Sequence, residues 1–220
     1  MNVKLRTLGF SLIAALAVGA MAVVNATAET GGHFVSATAG TTTIVGSEGG
    51  SHVLHFTSEG GAEASRWVGC DEDSYTGTVS GGTAASITIT PSWNKCYTTG
   101  NPEAKIDIDE RACHFLFKVG KAPTGHNTVD VICPIGVAGF LITHQNCGIV
   151  VPPQTVNGVS YANQGSPHQV TLTSTVNGIT AHYHSGVCIF LGTVHQWEMN
   201  GSVTVKGFSG PNQVSITATG

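Results

Sequence analysis

From residue 33 onward, apolar and polar positions alternate in short runs. Ile87 and Ile89 alternate with Thr88 and Thr90 and stop at Pro91, and Ile106 and Ile108 alternate with Asp107 and Asp109. Phe115, Phe117 and Val119 do the same against His114, Leu116 and Lys118. Further on, Val129, Val131 and Cys133 share a face, as do Val170, Leu172 and Ser174, then Val203 and Val205, then Val214 and Ile216. A period of two is the signature of a strand with one buried and one solvated side. No window of ten residues after the leader carries the 3.6-residue stripe of a helix. Asn157-Gly158, Asn177-Gly178 and Asn200-Gly201 stand beside these runs. Both residue types tolerate positive φ, so the three pairs predict hairpin corners. The phrases "VNGVSY" at Val156 and "VNGITAHY" at Val176 suggest a repeated hairpin unit. The expected fold is all-β, an antiparallel β-sandwich or irregular barrel of about a dozen strands.

The first residues change the picture of where this fold works. Lys4 and Arg6 precede an apolar run from Leu8 to Val24, and Ala26-Thr27-Ala28 follows it. This is the pattern of a secretory leader cleaved after Ala28, so residues 29–220 form the expected secreted, extracellular product. Its length suits a single domain, and Val151-Pro152-Pro153 marks the alternative, a boundary near 151–154. The leader holds two of the nine basic residues and none of the thirteen acids, which leaves the product seven against thirteen, a net charge of −6. That balance lacks the basic patch that nucleic-acid binding requires. No later apolar run is long enough to span a bilayer. Six cysteines, Cys70, Cys96, Cys113, Cys133, Cys147 and Cys188, all lie after the leader. An even count in an exported chain predicts a disulfide framework, and 15 connectivities are open to six cysteines. The pairing expected joins neighbours along the chain: Cys70 with Cys96, Cys113 with Cys133, Cys147 with Cys188.

The order "GC…SITITPSWNKC…ACHFLFKV…NTVDVICP…CGIVVPPQ…VSYAN…VTLTSTVNGIT" resembles secreted, uncharacterised β-rich proteins of actinobacteria over most of the product. The resemblance implies export and a β-rich fold, and it implies no activity.

The densest set of metal-ligand side chains is in "ITAHYHSGVC", from Ile179 to Cys188. On a regular strand His182 and His184 point the same way, and an adjacent strand with His195 or His168 could add a third imidazole. The alternative is that imidazoles decorate a polar face, as Thr180 does. The cupin pattern of His-x-His followed closely by Glu is missing, since Ser185, Gly186 and Val187 come next. Asp71-Glu72-Asp73 resembles the opening of a calcium loop, but Tyr75 stands at a ligand position, which favours a solvated turn. Asp107 and Asp109 share a strand face beside Glu110, and paired acids of this kind more often protect a sheet edge than hydrolyse glycosides. Motifs of nucleophile elbows, zinc proteases, phosphate loops and dinucleotide sites are missing from the sequence. Trp93 and Tyr97, in "PSWNKCYTTG", are the aromatic rings best placed for recognition if that stretch is a loop; Trp93 would otherwise pack over the Cys96 bridge. Together these features point to an exported, non-catalytic β-module. It would be structural, adhesive or ligand-binding at the cell envelope, with polysaccharide or protein as partner and no cofactor. The alternative is a metal-dependent enzyme or metal-binding protein built on the His182 and His184 strand.

Overall fold

The computed structural model describes residues 31–48, 52–58, 66–98, 101–120, 126–166, 168–186 and 194–220. Among these every regular element is a strand. In chain order they are β1 (His33–Ser36), β2 (Thr42–Glu48), β3 (His52–Ser58), β4 (Arg66–Val79), β5 (Thr83–Ala84), β6 (Ser86–Thr98), β7 (Asn101–Asp109), β8 (His114–Lys118) and β9 (Thr128–Ile132). They continue as β10 (Phe140–His144), β11 (Cys147–Val151), β12 (Gln154–Asn157), β13 (Val159–Gln164), β14 (Gln169–Ile179), β15 (His182–Gly186), β16 (Val194–Ser209), β17 (Asn212–Val214) and β18 (Ile216–Thr219).

Every pairing is antiparallel, and fifteen strands form one branched sheet whose main path runs β13-β14-β16-β2-β4-β6-β7-β10-β11-β15. The branching follows from strand length. β16 is 16 residues long and pairs β3 with its first half and β2 with its second. β4 spans the same two partners from the other side. β6 in turn pairs β8 through Ser86 to Ile89 and β7 through Cys96 to Thr98. From that fork one branch continues through β9 to β12 and the other through β10 and β11 to β15. The remaining sheet has three strands, with β1 between β18 and β5, and brings His33 opposite Thr219.

Two apolar cores result. In the first, Phe34 and Ile216 of the small sheet meet Ile44, Tyr75, Val79, Ile87, Ile89, Val170 and Val205 of the large one. In the second, Val68, Cys70 and Cys96 join Ile108, Phe115, Val131, Phe140, Ile149 and Ile179 between the two branches. Residues on both sides of Val151 contribute to each core. The alternation read from the sequence is what fills them: Ile87, Ile89, Ile106 and Ile108 are buried, whereas Asp107 and Asp109 are exposed. Gly46 sits inside β2 because an added Cβ would come within 2.8 Å of the Tyr75 Cβ and 2.9 Å of a Val203 methyl carbon.

Long strands that serve both cores must change the parity of their buried positions. In β4 these are Val68 and Cys70, then Tyr75 and Val79, with Asp71 and Glu72 both exposed between them. In β6 they are Ile87, Ile89 and Pro91, then Cys96, and the change falls at Lys95, a non-glycine residue at φ 52°. The Cys70–Cys96 bridge lies beside this point, between directly paired residues with Cα atoms 3.9 Å apart. A second bridge, Cys113–Cys133, closes the β8–β9 pair at its end. Cys147 is also disulfide-bonded; Cys188, its expected partner, lies outside the described residues.

Several sequence expectations are corrected. None of the three Asn-Gly pairs closes a hairpin. Asn157-Gly158 carries the chain from pairing with β9 to pairing with β14. Asn177-Gly178 is a bulge within β14, and Asn200-Gly201 is where β16 exchanges β3 for β2. Gly158 and Gly178 do have positive φ, 93° and 79°, so the residues supply the expected backbone freedom but spend it on joints. The two "VNG" phrases are therefore not one repeated unit. Among the described residues, two-residue turns are Gln145-Asn146 and Gly210-Pro211. Pro91 does not end its strand, because β6 has a described partner on only one side there, and an edge tolerates a residue lacking an N–H.

Side-chain amides act as extra strand partners. Asn163 donates to the Ala218 carbonyl at 2.9 Å and accepts from the Ala218 N–H at 2.8 Å, tying β13 to β18. Gln154 makes the same pair of bonds with Thr180, at 2.9 and 2.8 Å. The Asn163→Ala variant should lose about 1 kcal/mol of stability through these exposed bonds. Gln164→Ala, which removes an exposed side chain from the same strand, should cost no more than about 0.5 kcal/mol. Urea unfolding midpoints at unchanged slope will separate the two.

Candidate functional site

The fork of the sheet creates the site. β7 pairs β6 up to Ile106 and β10 from Asp107, so the two flanking strands diverge on either side of it. Between them lies a half-open depression of ≈ 580 Å³. It is floored by the paired strand segments at Cys96 and Ile106, whose own side chains turn into the second core. Around that floor stand Asp71, Lys95, Tyr97, Lys105, Asp107, Thr143 and Gln145.

Local structure explains the placing of each wall. Lys95 and Gln145 both have φ near 50°, one at the parity change and the other in the turn joining β10 to β11. Tyr97 and Lys105 oppose each other across β6 and β7, as do Asp107 and Thr143 across β7 and β10. Lys95 forms an ion pair with Glu72, and that hydrogen bond and charge raise the pKa of its ammonium. His144 donates from Nδ1 to the Lys105 carbonyl at 3.0 Å, which fixes the turn against β7. The set offers carboxylate acceptors, ammonium and amide donors, a hydroxyl and one half-buried aromatic ring.

Of the two aromatic residues singled out from the sequence, only Tyr97 is in this depression. Trp93 lies on β6 rather than in a loop and packs edge-on against Phe115 and Phe140, with ring centroids 5.9 and 5.5 Å away. Its backbone N–H donates to Glu110 Oε1 at 3.0 Å, and its indole N–H donates to the Tyr75 oxygen. The Tyr75 hydroxyl in turn donates to Asp73 Oδ2 at 3.1 Å. Trp93 is thus a core residue, as the packing alternative anticipated. Burial is the largest cause of the raised Tyr75 pKa, and the Asp73 charge adds to it; burial alone raises that of Tyr161.

The strand that carries the imidazoles is not the regular one drawn from the sequence. Tyr183 pairs Ile149 and Ser185 pairs Gly148, so His184 is the extra residue of a bulge and the period of two fails between it and His182. Both imidazoles are exposed. His168 lies at the opposite end of β14, whose 11 residues extend about 35 Å, beyond the reach of a common metal. His195 falls at the β16 bulge opposite β3, and its side chain lies outside the described residues. Among the described residues no three ligating side chains converge.

The acidic runs serve structure. Asp71-Glu72-Asp73 lies within β4 rather than in a turn, where an extended backbone cannot wrap a cation. Glu72 pairs with Lys95, and Asp109 accepts from the Arg111 N–H at 3.0 Å. Lys105, Thr143 and Gln145 were not marked by sequence reasoning. For Thr143 and Gln145 the signal was the run "FLITHQNCGIVV", where two apolar stretches flank Gln145-Asn146 as strands flank a tight turn. Compared with family models, curated proteins and solved structures, the chain matches none.

Two outcomes follow from this geometry. Trp93→Ala should cost about 3 kcal/mol, the scale for emptying a large aromatic site, while Tyr97→Ala should cost less than half as much in the same thermal melts. A tyrosine with a raised folded pKa gives its full stabilisation below its unfolded value of about 10 and loses it as pH climbs from there toward the folded value. Melting temperature should therefore be insensitive to Tyr75 and Tyr161 at neutral pH and fall above pH of about 10, with phenolate absorbance from both appearing only on unfolding.

Proposed function

We propose that residues 29–220 are an exported, non-catalytic β-module that works at the cell envelope by holding a ligand in the depression around Tyr97. The observation that carries this reading is the chemistry of that depression, which places an aromatic ring beside charged and neutral donors and acceptors at a junction of three strands. Recognition sites combine apolar surface with a few polar groups that fix orientation, and the volume lies within the range of small-ligand sites. Export is supported by the leader pattern and by the bridges Cys70–Cys96 and Cys113–Cys133, which persist in an oxidising compartment.

Sedimentation with isolated cell envelopes tests the reading. The protein secreted by its own cells should begin at Glu29 and pellet with the envelope fraction. Asp107→Arg, which puts a bulky cation beside Lys105, should weaken that association at least about tenfold while leaving the melt within about 0.5 kcal/mol. A protein that stays in the supernatant, or pellets equally well with Asp107→Arg, overturns the proposal.

A further inference from the structure

We infer that the depression takes a neutral pyranose unit within a polysaccharide chain, with the Tyr97 ring as its stacking surface; this rests on the reading that the protein binds a ligand there. The charge pattern comes first. Asp71 and Asp107 face Lys95 and Lys105, two carboxylates against two ammoniums, and Lys95 is already paired with Glu72. With Glu72 counted, three carboxylates stand against two ammoniums, a balance that disfavours a phosphate or a polyanion. A ligand whose groups both donate and accept suits it better, and a sugar hydroxyl does both. Asp71 and Asp107 accept from hydroxyls, while Lys105 and the Gln145 amide donate to them.

The apolar part of the site fits the other side of a sugar. A pyranose ring turns its axial C–H groups to one face, and that face needs an aromatic or aliphatic surface. Tyr97 is half-buried, so its side chain is held against the sheet yet retains exposed area. Because Tyr97 is fixed on β6, opposite Lys105, little side-chain freedom is lost when a ring settles on it.

Shape sets the kind of ligand. The depression is half open, so both ends of a chain can continue past it, as an interior residue of a polymer requires. Further along β4 and β6 the exposed side chains Ser74, Thr76, Thr90 and Ser92 are all neutral hydroxyls. They offer a polymer no charge repulsion on leaving the site.

Titration of the whole secreted protein with β-1,4-linked tetramers of glucose and of N-acetylglucosamine tests the inference, followed by nuclear magnetic resonance shifts and calorimetry, with inorganic polyphosphate as the charged control. At least one neutral tetramer should saturate below about 10 mM. Tyr97→Ala should weaken it at least about tenfold, and Tyr97→Phe, which keeps the ring, should stay within about threefold of the parent. If Tyr97→Ala fails to fold, Asp107→Ala and Gln145→Ala, both at exposed positions, should each weaken binding about threefold or more. Saturation by neither tetramer, unchanged affinity in the folded variants, or tighter binding of polyphosphate overturns the inference. Envelope association that Asp107→Arg abolishes, without tetramer binding, leaves the module reading standing and removes only the sugar; loss of envelope association in the parent removes both.

Discussion

The structure depends on a register held by sulfur where the hydrophobic pattern cannot hold it. In a sheet with one buried side, a slip of one residue would turn every apolar side chain outward, so alternation itself fixes the pairing. That argument fails where β4 and β6 change parity, since Asp71, Glu72, Asn94 and Lys95 are all exposed and none prefers one alignment. Cys70 and Cys96 stand directly opposite each other beside this gap. A covalent link between paired residues permits a single register, and closing a loop of this size contributes on the order of 3 kcal/mol. With that alignment fixed, Tyr97 opposes Lys105 and the floor of the depression exists.

A branched sheet has many edges, and unpaired edges invite association with other chains. The polar side chains of this protein manage several of them. Asn163 offers the backbone of Ala218 a donor and an acceptor as another strand would, and Gln154 does the same for Thr180. Asn127 accepts from the Gly120 N–H at 2.9 Å and donates to the Val159 carbonyl at 3.1 Å, joining the end of β8 to β13. Each clamp joins segments that share no backbone ladder, so the amides close gaps that backbone pairing leaves. Polar side chains are thus part of the architecture.

The fold class was legible because alternation is a local property. Ile87, Ile89, Val129 and Val131 show it within their own strands, and each fills a core as expected. What was illegible depended on strands distant in sequence. Asn200-Gly201 carries a hairpin signature, yet tertiary pairing stretches it through the middle of a 16-residue strand because β3 and β2 both need β16 as a partner. Trp93 looked like a loop residue because Pro91 and the polar run to Lys95 surround it; only the positions of Phe115 and Phe140 reveal that its ring is covered. The His182 and His184 reading assumed an unbroken period, and a bulge leaves no trace in residues that are polar on both sides. For the candidate site, Tyr97 could be singled out by type, but its neighbours Lys105 and Thr143 arrive from two other strands.

These strands also explain why the site is built on the sheet. The described connections nearest to it are short: β10 and β11 are joined by Gln145-Asn146 alone. A two-residue turn cannot form a binding loop, so concavity has to come from divergence of the strands themselves. Divergence requires a strand that exchanges partners, and β7 does so between Ile106 and Asp107. The same exchange leaves side chains of β6 and β10 facing one another across β7 without a backbone ladder between them. Ladder bonds on both outer sides hold those walls in place, so the depression is already formed before any ligand arrives. The parity change that deprives the chain of a local register signal is also what turns Asp71 and Lys95 outward to complete the rim, and one covalent bridge reconciles the two.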